Sequence, residues 1–311
     1  MHQSVLDAAG IQAGRIETLW WVMFWVTLGV TVIVLGVLFA GVARARHGEP
    51  STAADPRLLR YVAGAGVASL LILFGLLIAA VVTSRAIAGE HDPKALQIEV
   101  TANQWWWNVE YQHPEPEQRV RTANELHIPV GRTVGIKLLA NDVIHSFWVP
   151  ALHGKRDAIP GHETTLWLRA DRPGIYRGQC AEYCGAQHAH MAFFVVAEPS
   201  DDFERWIQAQ RTTAQQPQSE LEQRGLYLVQ RSACVMCHTI RGTAAGGRMG
   251  PDLTHIASRG TILAATVPRT PENLHRLISD PQQFKPGARM PALNLGDADR
   301  EAIVAYLERL K

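Results

Sequence analysis

Two long apolar runs near the start of the chain set the first constraint on its fold. From Leu19 to Val42 nearly every residue is apolar, with Trp20, Trp21 and Trp25 toward one end, and a second run extends from Tyr61 to Val82. Each exceeds the roughly 20 residues needed to cross a bilayer core. A single span must be helical, because only a helix satisfies all of its backbone groups internally. The connection between the runs carries Arg44, Arg46, Arg57 and Arg60. That basic excess puts the connection in the cytoplasm and both ends of a two-helix transmembrane hairpin outside. A cleaved signal peptide is the competing reading of the first run. It is too long for a signal h-region, no small-residue cleavage site closes it, and a second span follows.

The remainder of the 311-residue chain reads as soluble protein with room for two domains. A formal net charge of +1, with no basic block interleaved with aromatics, argues against a nucleic-acid partner. Beyond the second span the pattern alternates in residues 95–101, 105–111, 125–129, 133–140, 164–168 and 192–197, with Pro, Gly and Asn-Asp turns between. Short strands at this spacing predict a β-sandwich or Greek-key β-barrel over 91–200. Ser200 is expected to cap a short helix running to about Arg211, and Thr212 to Gln218 is polar enough for a linker. The expected organisation is therefore 1–90, tail and hairpin; 91–200, β-domain; 201–218, short helix and linker; and 219–311, a final domain.

The four cysteines fall in two close pairs, Cys180 with Cys184 and Cys234 with Cys237. Such pairing points to chemistry, although an oxidising compartment would also permit two short disulfides. The first pair sits in Cys180-Ala181-Glu182-Tyr183-Cys184, followed by His188 and Met191, on what reads as a loop. A second loop, about 35 residues earlier, carries His145 in Asn141-Asp142-Val143-Ile144-His145. Two thiolates, two imidazoles and a thioether suit copper. Zinc has no use for Met191, and an iron–sulfur cluster would want more thiolates. A disulfide alone would leave His145, His188 and Met191 unexplained together. His153, His162 and His190 fit no position in the pattern.

The second pair forms Cys234-Val235-Met236-Cys237-His238, the attachment signal of a c-type haem. Both thiols can reach the haem vinyl groups while the adjacent imidazole turns onto the iron. A helix containing Gly225 and Tyr227 precedes the motif, Gly250-Pro251-Asp252-Leu253 follows it, and an amphipathic helix at about 301–310 closes the chain. Met249 lies only eleven positions after His238, on the histidine's side of the haem. Met290, in Lys285-Pro286-Gly287-Ala288-Arg289-Met290-Pro291, is far enough along to wrap to the other face and is the expected sixth ligand. His/Met ligation closes the iron to small ligands, as electron transfer requires.

On these motifs residues 15–200 resemble subunit II of the haem–copper oxidases, and residues 219–311 resemble class I cytochromes c. The resemblance implies a cupredoxin-like Greek-key barrel followed by an all-α cytochrome domain, as in oxidases of the caa type. It implies a dinuclear copper centre (CuA) in which Cys180 and Cys184 bridge both metals, His145 and His188 cap one each, Met191 is a weak ligand and Glu182 ligates through its carbonyl. It implies that the Glu182 side chain reaches a magnesium ion shared with subunit I, and that Trp105, the first aromatic after Gln104, receives electrons from cytochrome c. Trp106 and Trp107 read as ordinary core, and three consecutive tryptophans cannot all face one side of a strand. In the haem domain, Gly225 and Tyr306 are the expected crossing of first and last helices, and the Pro251 carbonyl the expected acceptor that fixes the His238 tautomer.

The implied function is transfer of electrons from an external donor, cytochrome c or a quinol–cytochrome c reductase, through haem c and the copper pair to subunit I. Oxygen reduction and proton pumping belong to that complex, with subunit III as a further partner, and this chain has no catalytic oxygen site. The implied location is the bacterial plasma membrane, with both redox domains and both termini on the extracytoplasmic side. One departure stands out: Asp55-Pro56-Arg57-Leu58-Leu59-Arg60-Tyr61 has no glutamate where many relatives place one at the start of the second span. Three rivals remain. A nitric oxide reductase could use a similar copper-bearing subunit, a quinol oxidase subunit would lack the copper ligands, and a copper-delivery or copper-sensing protein would not need the haem domain.

Overall fold

A computed structural model describes residues 2–46, 56–88, 92 and 94–311, which fall into two compact units, residues 14–91 and the rest. The first unit is built on the helices α1 (Ile11–Ala45) and α2 (Pro56–Ala88), both long and apolar enough to cross a membrane. Their apolar side chains are exposed along the length and on all sides, a surface that lipid solvates and water does not. Trp20, Trp21, Phe24 and Trp25 cluster on one turn of α1, as aromatic side chains do where a span meets the interface. Asp55 lies outside the described residues, so the stretch without a glutamate is seen from Pro56 onward.

The second unit opens with two stacked five-stranded sheets. One has the order β3 (Val120–Ala123), β2 (Trp106–Tyr111), β1 (Leu96–Asn103), β5 (Val134–Ala140), β8 (Thr164–Leu168). The other runs β4 (Glu125–Pro129), β10 (Ala192–Glu198), β9 (Gly174–Cys180), β6 (His145–Trp148), β7 (Arg156–Ala158). Neighbours are antiparallel except β1 with β5 and β4 with β10. Alternating burial along β2 and β9 turns one face of each sheet inward. Trp107 fills the centre, edge-on to Phe147 and Phe193 at 5.8 and 5.3 Å between ring centroids. Phe193 lies so close to β9 that a Cβ at Gly178 would stand 2.2 Å from its ring.

The alternating runs anticipated six of these strands but not β3, β6, β7 or β9. As a result His145 is the first residue of β6 and Cys180 the last of β9, so neither lies on a loop. Ser200 is the first residue of the helix α3 (Ser200–Arg211), with Pro199 at the cap position and no side-chain cap. Its hydroxyl therefore does not serve as the expected cap. The chain before α1 also belongs to this unit. His2 N donates to Ile175 O and Arg177 N to His2 O, both at 2.9 Å, and Ala9 N donates to Ala151 O at 2.7 Å.

The remaining helices are α4 (Glu220–Arg231), α5 (Cys234–Cys237), α6 (Pro271–Ser279) and α7 (Asp297–Arg309), with a small hairpin of β11 (Thr261–Ile262) and β12 (Val267–Pro268). A capping box of Ser219 and Glu222 starts α4. Helices α4 and α7 cross with almost no separation: a Cβ on Gly225 would stand 2.0 Å from Ala302 O and 2.7 Å from the Tyr306 Cβ. The small residue and the aromatic therefore meet where the sequence placed them. Gly225→Val must push the helices apart, and the expected cost is about 3 kcal/mol, the upper end for overpacking. Thermal unfolding followed at the haem absorbance checks it, and an unchanged midpoint would refute the crossing.

Candidate metal centre and haem cavity

Strands β6 and β9 lie side by side, with Phe147 opposite Cys180, and bring His145 to the cysteine loop. One ligand atom from each of His145, Cys180 and Cys184 falls within 4.8 Å of the others, and all three residues are buried. The thiols are free, with Sγ atoms 3.8 Å apart. His145 Nδ1 lies 3.8 Å from Cys180 Sγ, His188 Nδ1 3.6 Å from Cys184 Sγ, and Met191 Sδ 3.9 Å from Cys184 Sγ. The Glu182 carbonyl stands 3.2 Å from Cys180 Sγ, so the backbone of that residue faces the cluster. Its carboxylate points elsewhere and pairs with Lys155 Nζ at 3.7 Å, half exposed. His162 and His190 are exposed and His153 is half-buried, and none of the three is part of the cluster.

Asp142 sets the orientation of His145. Its Oδ1 lies 2.8 Å from His145 Nε2. A carboxylate can only accept there, so Nε2 carries the proton and the Nδ1 lone pair is left facing the thiols. Asp142 is itself held by the backbone N–H groups of Gln104 and Val143, at 2.7 and 2.8 Å. Burial works against charge on both groups, but the hydrogen bonds outweigh it. His145 lies above its ordinary value and Asp142 below its own. The hydrogen bond from Cys184 pulls the Cys180 thiol down, and the thiolate so formed holds the Cys184 proton, pushing that thiol up. Buried, soft and already converged, the donor set fits copper without rearrangement.

The second candidate site is a cavity of about 260 Å³ lined by Cys234, Cys237, His238 and Met290 together with Trp105 and Trp106. His238 Nδ1 lies 2.7 Å from Pro251 O. The carbonyl can only accept, which leaves Nε2 unprotonated for a metal. Burial holds His238 below its ordinary value and so keeps it neutral. Gly250 lies against the imidazole, where a Cβ would stand 2.7 Å from Cε1, so Met249 is its near neighbour in the chain. Met249 also lines the cavity but is 67% exposed, whereas Met290 arrives on a separate segment and is half-buried. Two thiols, an oriented imidazole and a thioether around an apolar slot fit a covalently held haem.

Trp107 is core and Trp106 half-buried, while Trp105 is 9% exposed, with Nε1 donating to Cys184 O at 2.9 Å. Three polar residues at these sites went unread in the sequence: Asp142 as the partner of His145, Gln104, whose Nε2 donates to Cys184 O at 2.8 Å, and the buried Lys285. For Asp142 the available signal was a carboxylate three residues before a candidate ligand. Asp142→Ala is expected to lower metal retention about 10- to 100-fold, the usual cost of losing such a partner. Chelator competition on the intact chain measures it, and unchanged retention would remove Asp142 from the site.

Known proteins resemble the chain along both of its outer domains. Residues 113–198 match the family model described as "Cytochrome C oxidase subunit II, periplasmic domain", and residues 223–311 match that of "Cytochrome c". The chain is 32% identical to cytochrome c oxidase subunit 2 of Alkalihalophilus pseudofirmus, over 99% of its own length and 91% of the relative's. It is 31% identical to cytochrome c oxidase subunit 2 of Bacillus subtilis, over 72% of this chain and 64% of that one. Among solved structures it is similar to the periplasmic domain of subunit II of cytochrome oxidase from Bradyrhizobium japonicum. The identity is 31% and the TM-score 0.36, covering 38% of this chain and 96% of that one.

Proposed function

The chain belongs to the subunit II family of cytochrome c oxidases, with a cytochrome c domain behind the family's periplasmic domain, and on that premise we propose a role for each site residue. It transfers electrons to the oxidase, and its membership implies a subunit I partner, a dinuclear copper centre and haem c. When bound, the copper pair and the haem supply reversible one-electron chemistry, while oxygen is reduced on the partner. In our reading Cys180, Cys184, His145 and His188 would hold the two coppers, with the Met191 thioether as the weakest donor and the Glu182 carbonyl completing the set. Cys234 and Cys237 would carry the haem covalently, His238 and Met290 would hold its iron, and Pro251 orients His238. The domain division at 91, 201 and 219 is part of the same reading.

The observation that carries this is the convergence of His145, Cys180 and Cys184 from separate segments, their thiols unlinked. The residues then act in simple ways. Asp142 holds His145 with one nitrogen free, Pro251 does the same for His238, and Phe147, Phe193 and Trp107 keep water from the cluster. Trp105, bonded to the Cys184 carbonyl and lining the haem cavity, spans the gap between the two sites and is where the copper domain receives electrons. The Glu182 carboxylate, free to leave an exposed pairing with Lys155, would serve a magnesium ion shared with subunit I.

Residues 2–13 pack on the β-domain, which supports a topology with the amino-terminal end and both redox domains on the extracytoplasmic face of the bacterial plasma membrane. The arginines flanking 47–55 would then lie in the cytoplasm. Subunit III and an external donor, cytochrome c or quinol–cytochrome c reductase, complete the proposed assembly. The test uses the oxidised full chain and its paramagnetic resonance. Cys180→Ser should abolish the signal of an electron shared by two copper nuclei and leave the haem attached, and Cys237→Ala should do the reverse. Loss of both cofactors from a folded single variant would overturn the two-site reading.

A further inference from the structure

The face of the β-domain around Trp105 is covered by the chain itself. Gly287, at φ +87°, lies over the indole, where a Cβ would stand 3.5 Å from the ring. Beside it Lys285, 4% exposed, donates from Nζ to the Trp105 carbonyl at 2.8 Å, and the buried Gln187 donates from Nε2 to Pro286 O at 2.9 Å. On the other flank two backbone amides reach across. Gly260 N donates to Glu125 Oε1 at 2.8 Å and Ala192 N to Ala264 O at 3.2 Å.

These contacts have the character of a fixed seam. Glu125, Gln187 and Lys285 are each under 10% exposed, and each is satisfied by a partner from the other domain. Burial draws the Lys285 ammonium down to about 7, and the Trp105 carbonyl it meets offsets part of that cost. Leu263, Ala264 and Ala265 hold φ of 58°, 57° and 58° in succession. Side chains disfavour this conformation, and it persists where outside contacts over-determine it. Ala264 is completely buried, and its carbonyl is the one that takes the Ala192 amide.

We propose that Lys285 and Gln187 register the cytochrome domain on the Trp105 face as a fixed dock, holding one orientation of the two domains between electron transfers. The inference rests on the copper and haem assignments above and adds to them which surface the donor occupies and what holds it there. Lys285 and Gln187 are positioning residues: Lys285 reaches the Trp105 carbonyl from the wall of the haem cavity, and Gln187 reaches the Pro286 carbonyl from the β-domain.

Hydrogen exchange on the loaded full chain tests it, because the Ala192 and Gly260 amides donate across the seam. In the wild type both should be as protected as Val195 within β10. Lys285→Glu sets a carboxylate against the Trp105 carbonyl. It should speed exchange at both amides tenfold or more and slow flash-initiated electron equilibration between the centres. Gln187→Ala should act in the same direction more weakly, and it decides the matter if Lys285→Glu loses its haem. Exchange of both wild-type amides at open-loop rates would overturn the dock, as would two loaded variants that leave exchange unaltered. A chain that binds no copper pair but keeps these amides protected would instead sink the copper assignment and leave the seam standing.

Discussion

Two thiols 3.8 Å apart in an apolar interior are poor neighbours until a cation comes between them. One proton is easily lost, because the other thiol donates to the sulfur it leaves. The second is held by the charge just made, and the opposite directions of Cys180 and Cys184 express this. A buried pair of thiolates needs compensating positive charge, and bound metal is the group that supplies it while releasing both protons. With soft donors on every side, the cluster favours copper over harder ions.

The β-sandwich exists, from the site's point of view, to keep that pair from relaxing. Phe147 lies opposite Cys180 across two strands, stacks on Phe193 at 4.4 Å, and with Trp107 forms the floor under His145. Gly178 is the concession that lets Phe193 lie flat against β9. The backbone of the ligand loop is tied as well, Cys180 N to Met191 O and Ala181 N to Ser146 O, both at 2.9 Å. Ligands held this closely change position little when charge arrives or departs, which is the property a fast electron carrier requires.

Legibility in the sequence followed the range of the interaction. The spans could be read from length and hydropathy, and the haem motif from five adjacent residues, because their chemistry is local. Gly225 and Tyr306 were readable only through a resemblance, and their contact bears it out. Strand β9 was invisible because Gly178 and the polar Arg177 and Gln179 disrupt its pattern, and β6 is four residues long directly after an Asn-Asp turn. Asp142 read as a turn former and is one, bonding Val143 N, but its other duty lies toward His145 and Gln104. Lys285 and Gln187 meet partners 180 and 99 positions away, and no local pattern encodes such a meeting. Trp105 is the intermediate case. It stands on the turn before β2, packs into the β-domain core and against Gly185, and is covered from the other domain by Gly287 and Lys285.

Fusion changes what an electron-transfer contact must achieve. Free partners need enough affinity to meet and enough weakness to part, so their contacts are small and wet. A tether such as 212–218 raises the local concentration of one domain near the other to the order of millimolar. The contact then need only select one orientation. Point anchors serve that purpose better than a broad apolar face, because a hydrogen bond to one carbonyl specifies register where apolar area does not. Lys285 on the Trp105 carbonyl and Gln187 on that of Pro286 are anchors of this kind. They sit beside the indole that itself hydrogen-bonds a cysteine carbonyl of the cluster. The residues that align the domains and those that shape the metal site therefore form one continuous set of contacts.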